Sequence, residues 1–493
     1  RIAETARALK SQLGVARGDR VAILAANHPD YLVLLYACAR LGAMLVPVNW
    51  RLAVPEQLFI LRDAAVKALV VEQAFAPIVE PLAAALPDAR VIGLDFSPAG
   101  GASFAALLES GDGSGDGRGG DVDTTSPLLI VYTSGTTGHP KGAVLRQDAL
   151  VANAAMSQHM HDMTAQDHVL TVLPLFHVGG LNIQTTPALQ QGATVTLHAR
   201  FAPDATLDAI ANDRPTLTVL VPATIQAMIE HPRWDETRLD SLRAVSTGST
   251  QVPQRLVDAF TQRGTPVLQV YGSTETSPVA IYTPLSGDWR RPGSTGLPGL
   301  LCEARVVDDS DTDVPVGTPG ELLVRHSAET PRYGFFSGYL KNEQATEEAW
   351  REGWFHTGDV VRQDASGMLF FVDRKKHIIR RAGENIAAAE IEAVLQAHDC
   401  VAQVAVVAAP DELREEEVLA CIVTMPGIKG DAALADALFE QCNARLAYFK
   451  APGWVLFLDK LPTTGTQKVQ KTQIFAAGED PRQRSGIIDL RAR

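Results

Sequence analysis

The chain has 493 residues, 46% hydrophobic and 20% charged, with a formal net charge of −13. Such a composition buries a sizeable core and excludes a disordered chain, and the acidic balance argues against nucleic acid as a partner. No apolar run approaches bilayer-spanning length, and the five cysteines (Cys38, Cys302, Cys400, Cys421, Cys442) form no CxxC pair, which argues against a zinc site or disulfide framework and fits a cytoplasmic protein.

The first residues place Ile2, Ala6, Leu9 and Leu13 on one helical face directly after Arg1, so the native start is expected to lie upstream. RVAILAA (20–26) reads as a buried strand, and Pro29 opens a helix that Gly42 closes. The runs MLVPV, ALVV, VIGL, LLIVY, VLTVLP, TVLVP and VLQVY follow, separated by helix-like segments. This alternation predicts an α/β fold of parallel sheets with crossover helices. Residues 111–126 are rich in Gly and Asp and contain a formal GxGxxG at Gly115, Gly117 and Gly120. No strand directly precedes it and no helix follows, so it is expected to be a mobile surface loop and not a dinucleotide site. Further on, 386–395 has the pattern of an amphipathic helix, with Ile391, Val394 and Leu395 beside Glu390 and Glu392. VAQVAVVA and VLACIVT read as strands, and Leu434, Leu438, Cys442 and Leu446 have helical spacing. The expected division is a large domain over 1–373, a hinge at 374–376 and a small α+β domain over 377–493.

The most informative stretch is YTSGTTGHPKG (132–142), an apolar strand running into hydroxyls, glycines and one lysine. Gly135 and Gly138 allow close backbone approach, Thr133, Ser134, Thr136 and Thr137 supply hydroxyls, and Lys141 supplies charge, which together suit a polyphosphate. Pro140 stands where a P-loop would have its second glycine, so this is not a P-loop. Taken alone, such a run is more often a solvated loop.

Its company decides otherwise. LPLFHVGG (173–180), YGSTETSP (271–278), WFHTGDV (354–360), DRKKHIIRRAGENIAAAEIE (373–392) and PTTGTQK (462–468) follow in order. Together the six segments resemble the adenylate-forming superfamily, in its acyl-CoA synthetase branch, over nearly the whole chain. The resemblance implies an ATP-dependent acyl-CoA ligase using ATP, magnesium and coenzyme A, with a small carboxylic acid as substrate. It implies a cycle in which the acid first takes AMP and then passes to CoA. The obstacle to the first step is electrostatic: each unit of like charge at about 4 Å costs on the order of 4 kcal/mol at an effective dielectric of about 20. Cations and fixed donors must offset it.

By resemblance, Thr133, Ser134, Gly135, Thr136, Thr137 and Gly138 close over the β- and γ-phosphates, with Lys141 holding the loop or the leaving pyrophosphate. Glu275 matches the magnesium ligand, Thr274 an α-phosphate contact and Tyr271 the adenine-stacking aromatic. Outside the family, Thr274–Glu275 also reads as a helix N-terminus and Tyr271 as core. Asp359 and Arg374 match the ribose site, although TGD is also ordinary turn chemistry. His177 matches a gate between acyl pocket and nucleotide. Lys468 matches the lysine that reaches the α-phosphate and the substrate carboxylate. Lys376 takes the hinge position, and Gly383 and Glu384 take the face presented for thioester formation, with Asn385 beside them. Three positions depart from the common pattern: Gln467 before the lysine, His377 and Ala388.

The acyl pocket is expected between 222–228, 246–250 and 277–281, with Gly248, Ser249 and Thr250 shared with the nucleotide side. None of these stretches carries a charge, which favours an uncharged fatty or aryl acid. The region from RYGFFSGYLKNEQAT (332–346) onward looks closer to carnitine-type CoA ligases. The same motifs also fit an acyl-AMP ligase that loads a carrier protein, although no carrier domain follows in this sequence, and a non-catalytic nucleotide-binding protein. A homodimer is compatible with all of these.

Overall fold

The computed structural model describes residues 1–109, 117–133, 140–248, 252–330, 334–381, 384–412, 414–463, 469–476 and 478–491. It divides into two compact units, Arg1–Arg305 with Leu323–His356, and Val306–Leu322 with Thr357–Arg493.

The larger unit contains two sheets. In the first, Met44–Pro47, Arg20–Leu24, Ala68–Val71 and Arg90–Gly93 run parallel, and Pro127–Thr133, Lys141–Arg146 and Gly338–Tyr339 extend one edge. These last strands pair antiparallel, so the edge is a hairpin plus a distant strand. The second sheet carries Val267–Tyr271, Ala244–Gly248, Leu217–Leu220, His168–Thr171 and Thr194–Leu197 in parallel. Continuous apolar runs make such strands because helices cover both faces; Val21 to Leu24 and Leu217 to Leu220 are all buried. The helix Pro29–Leu41 begins where the His28 ring accepts the Asp30 N–H and ends at Gly42, whose φ of 67° is free for glycine.

One expectation for this unit changes and one is qualified. In the helix Ile2–Leu13 the buried stripe is Thr5, Ala6, Ala8 and Leu9, while Ile2 is exposed. The described part of the glycine-rich segment is a largely exposed loop, as expected, but its backbone is tied to the helix beside it. Gly119 donates its N–H to the Arg40 carbonyl at 2.8 Å, and a Cβ there would fall 2.4 Å from the Leu41 carbonyl oxygen. Asp123 accepts from the Thr125 hydroxyl at 2.7 Å, and Thr124 and Ser126 receive the amides of Asp148 and Gln147. The glycine serves close approach to a helix end.

The smaller unit centres on the strands Glu384–Ala387, Ile378–Arg381, Glu415–Thr424, Trp454–Phe457 and Ile487–Asp489, with Val401–Asp411 also paired to Glu415–Thr424. Ile379, Ile391, Leu395, Val406 and Leu438 form its core under the helices Ala388–Gln396 and Ala432–Asn443. The first helix starts at Ala388, two residues later than its pattern implied, and Ile386 pairs with Ile379 as strand. Asp373 explains the start: its carboxylate accepts the Ala389 N–H at 2.8 Å, capping a helix whose own Ala387 cannot. Leu446 lies beyond the end of the second helix.

Candidate active site

In parallel sheets, ligands gather beyond the carboxyl ends of the strands. In the second sheet of the larger unit those ends are Thr171, Leu220, Gly248 and Tyr271. Gly248 is required here, since a Cβ would fall 2.0 Å from the Val270 carbonyl oxygen. Tyr271 is half-buried at the end of its strand, not core.

Beyond Tyr271 the chain turns through Gly272, where a Cβ would meet the Pro278 carbonyl oxygen at 1.6 Å. Thr276 accepts the Ser273 N–H at 2.9 Å and closes a one-turn helix, Thr274–Thr276. So Thr274 and Glu275 do stand in a helical first turn, and both are buried. The Glu275 carbonyl accepts the Phe336 N–H at 2.9 Å, while its carboxylate accepts the Tyr339 hydroxyl at 2.7 Å. Burial, then the neighbouring Glu275 charge, push the Tyr339 phenol well above its ordinary range, so it is a donor at any working pH. Lys141 Nζ lies 5.1 Å from the centre of the Tyr339 ring. Lys141 pairs with Thr133 across the hairpin, and the Thr133 hydroxyl reaches the Lys141 carbonyl at 3.4 Å. Tyr339 was not singled out from the sequence; only the pairing of its strand with Ala143 reveals it.

His177 is half-buried, and its Nδ1 accepts the Gly179 N–H at 3.0 Å. An amide can only donate, so the ring proton sits on Nε2. Asn27, also missed, holds this loop: its amide donates to the Leu173 carbonyl at 2.9 Å and its oxygen accepts the Leu175 N–H at 2.8 Å. Gly180 lets the chain pass within contact of the Pro174 carbonyl, 2.3 Å from where a Cβ would stand. Of the expected acyl walls, Val279, Ala280 and Ile281 are fully buried. The helix Pro222–Ile229 contributes less than expected, because Ile225 and Met228 point into a core with Leu170 and Phe260.

In the smaller unit, Asp359 is not in a turn. It lies on the strand Trp354–Gln363, in register with Arg374, whose Nε reaches its carboxylate at 2.9 Å. Gly358, with φ 66°, precedes it, and Thr357 Oγ1 accepts the Asp359 N–H at 3.1 Å. Lys376 sits in a short 3-10 turn, Lys375–His377, and burial, then Arg374, lower its ammonium from the ordinary range. His377 Nδ1 is 3.6 Å from Asp373, and Ala388 is fully buried. Glu384 pairs with Arg381, which in turn reaches the fully buried Glu417 at 2.6 Å. Thr463 and Val469 form a bridge, and Lys471 holds Glu392 at 2.8 Å. Ser134, Gly135, Thr136, Thr137, Gly138, Ser249, Thr250, Gly383 and Lys468 lie outside the described residues.

Residues 1–340 match the AMP-binding enzyme family, and residues 390–468 match the AMP-binding enzyme C-terminal domain. The indoleacetate–CoA ligase of Aromatoleum aromaticum is 46% identical over 95% of this chain and 90% of its own. A feruloyl-CoA synthase of an Amycolatopsis species is 36% identical over 96% of this chain and 91% of its own. ATP-bound MatB from Rhodopseudomonas palustris superposes with a TM-score of 0.85 at 29% identity, covering 96% of this chain and 92% of that one. Among the described residues no helix is long and apolar enough to cross a membrane. The chain belongs to the AMP-binding enzyme family and is an AMP-forming acid–CoA ligase of the adenylate-forming superfamily.

Proposed function

We propose that this ligase activates an uncharged aryl acid, first as its acyl-AMP and then as its CoA thioester, in the cytoplasm. What supports the reading is the Glu275–Tyr339–Lys141 row, which joins the turn after Tyr271 to the edge strands of the first sheet, together with two relatives named for aryl acids. The buried apolar wall of Val279, Ala280 and Ile281 offers no charge to a second carboxylate or a quaternary ammonium, which weighs against a carnitine-type acid.

In the adenylation step, the hydroxyls of 133–137 and the Lys141 ammonium take the outer phosphates, and Thr274 takes the α-phosphate. Glu275 has one carboxylate oxygen occupied by Tyr339, leaving the other for a hard cation. One buried carboxylate suits a hard divalent cation: Glu275 would hold magnesium, which would supply positive charge against the phosphates. Asp359 accepts the ribose hydroxyls with Arg374 beside it, Tyr271 stacks on adenine, and Lys468 bridges phosphate and substrate carboxylate. The hinge at 374–376 then exchanges the Lys468 face for that of Gly383 and Glu384, while His177 gates the acyl group.

AMP release measured over acetate to palmitate, benzoate, cinnamate, indole-acetate, malonate and carnitine, with and without CoA, tests the reading. CoA-dependent AMP formation with an aryl acid is the expected result. Activity confined to carnitine or malonate would defeat it, and adenylate formation that ignores CoA would move the chain to a carrier-protein ligase. Lys468→Ala should abolish acyl-AMP formation yet still convert supplied acyl-AMP to the thioester.

A further inference from the structure

His161, at the end of the helix Gln147–His161, has no exposed surface. Its Nδ1 lies 2.7 Å from the Ser157 carbonyl oxygen, which can only accept, so Nδ1 carries the proton. Burial draws this imidazole down to about 4, so the ring is neutral and Nε2 is a bare acceptor. Ser246 Oγ at 2.7 Å and Gln184 Nε2 at 3.0 Å both reach it.

The orientation of the Gln184 amide follows. Its NH2 group faces His161 and, at 3.5 Å, Ser246 Oγ, so its carbonyl points the other way. Gln184 is 1% exposed, and its Oε1 has no hydrogen-bond partner among the described residues. The side chain borders a cavity of about 10 Å³ shared with Thr171, Leu173, Gly180, Thr185 and Val219, room for one small polar group. The cavity's own hydroxyls do not supply the donor: Thr185 donates to the Gly180 carbonyl at 2.7 Å, and Thr171 donates to Thr185 at 2.7 Å. A buried acceptor left without a donor is destabilising, so it calls for a donor from outside the fold.

This cavity lies on the sheet whose strand Ala244–Gly248 carries part of the expected acyl walls. Thr171 ends its strand, Val219 stands one residue before the end of its own, and Ser246 stands two residues before Gly248, on the same face of the strand. Gln184 lies in the wide turn Leu181–Thr185, a π-helix that directly follows the His177 loop; such turns are frequent at functional sites.

We propose that Gln184 is the specificity residue for the acyl tail: its carbonyl accepts a hydrogen bond from a donor on the distal edge of an aromatic ring, an indole N–H or a phenolic O–H. This rests on the aryl-acid reading of the site.

The test uses isosteric pairs in CoA-dependent AMP release: indole-3-acetate against 1-benzothiophene-3-acetate, and 4-hydroxycinnamate against 4-methylcinnamate. The wild-type enzyme should favour the donor-bearing acid in one pair by about 10- to 100-fold in kcat/KM, and the responding pair tells N–H from O–H. In Gln184→Met, checked for an intact melting transition, that ratio should collapse towards one. A wild-type ratio near one in both pairs would mean that the cavity merely holds a water, and would overturn the proposal without needing any variant. A ratio unchanged in Gln184→Met would overturn it as well. Turnover of aliphatic but of no aryl acid would defeat the aryl reading itself, and the proposal with it.

Discussion

Tyr339 donates its hydroxyl to the Glu275 carboxylate at 2.7 Å while the same ring stands 5.1 Å from the Lys141 ammonium. One phenol therefore touches both the proposed metal ligand and the proposed phosphate-loop cation. Its pairing to Ala143 on the adjacent strand keeps it in place. In Tyr339→Phe the carboxylate loses a fixed donor, at a stability cost of about 1 kcal/mol. Pyrophosphate release should slow about tenfold, with a raised KM for ATP–magnesium, because the carboxylate is no longer held in one orientation. Unchanged kinetics would reduce Tyr339 to a packing residue.

The Asp359–Arg374 pair yields a second expectation. Asp359 is buried and already bridged at 2.9 Å, so the ribose would meet a prearranged carboxylate. Asp359→Asn keeps the shape but gives up charge-assisted hydrogen bonds, and KM for ATP should rise about tenfold, more than KM for the acid. Equal rises for both substrates would argue for general loosening.

Stability should fall on mild acidification. His161 has a native value drawn down to about 4 by burial, and His326 likewise falls to about 4, from burial and then Arg146. Both values lie below the unfolded value of about 6.5, so between these limits the unfolded chain binds protons that the native state refuses. The stabilisation is complete above pH of about 6.5 and is lost as pH drops towards about 4, on the order of 3 kcal/mol for fully buried His161. Urea titrations across that window should show the slope, and His161→Gln should flatten it. A slope indifferent to both histidines would refute the account.

Glu417 is fully buried between Arg381 at 2.6 Å and Arg414 at 2.5 Å. A Cβ on Gly453 would stand 2.4 Å from its Cγ, so the backbone closes over the pair. Glu417→Gln leaves Arg381 without a counter-charge and should cost about 3 kcal/mol, read as an earlier calorimetric transition. Replacing all three by apolar residues should restore much of the loss; a triple variant no better than the single one would point to packing instead.

Much of this protein was legible in the sequence. The alternation of buried strands with helices, the Pro29 and Gly42 helix limits and the six ordered motifs rest on short-range chemistry: side-chain periodicity, fixed proline φ and glycine's freedom at positive φ. Local pattern was weaker wherever two local states competed. Ile386 is strand although its spacing fits helix, because pairing with Ile379 outweighed the amphipathic pattern and Asp373 supplied the cap two residues later. Gly119 looked like a flexible-loop residue because sequence does not show the Leu41 carbonyl that a Cβ would strike. Only the tertiary structure brought Tyr339 to Glu275 across 64 residues, set Asn27 under the His177 loop across 146, and turned the Gln184 amide nitrogen, not its carbonyl, towards His161. These contacts depend on which strand ends meet and which side chains the core encloses, and packing, not periodicity, selects them.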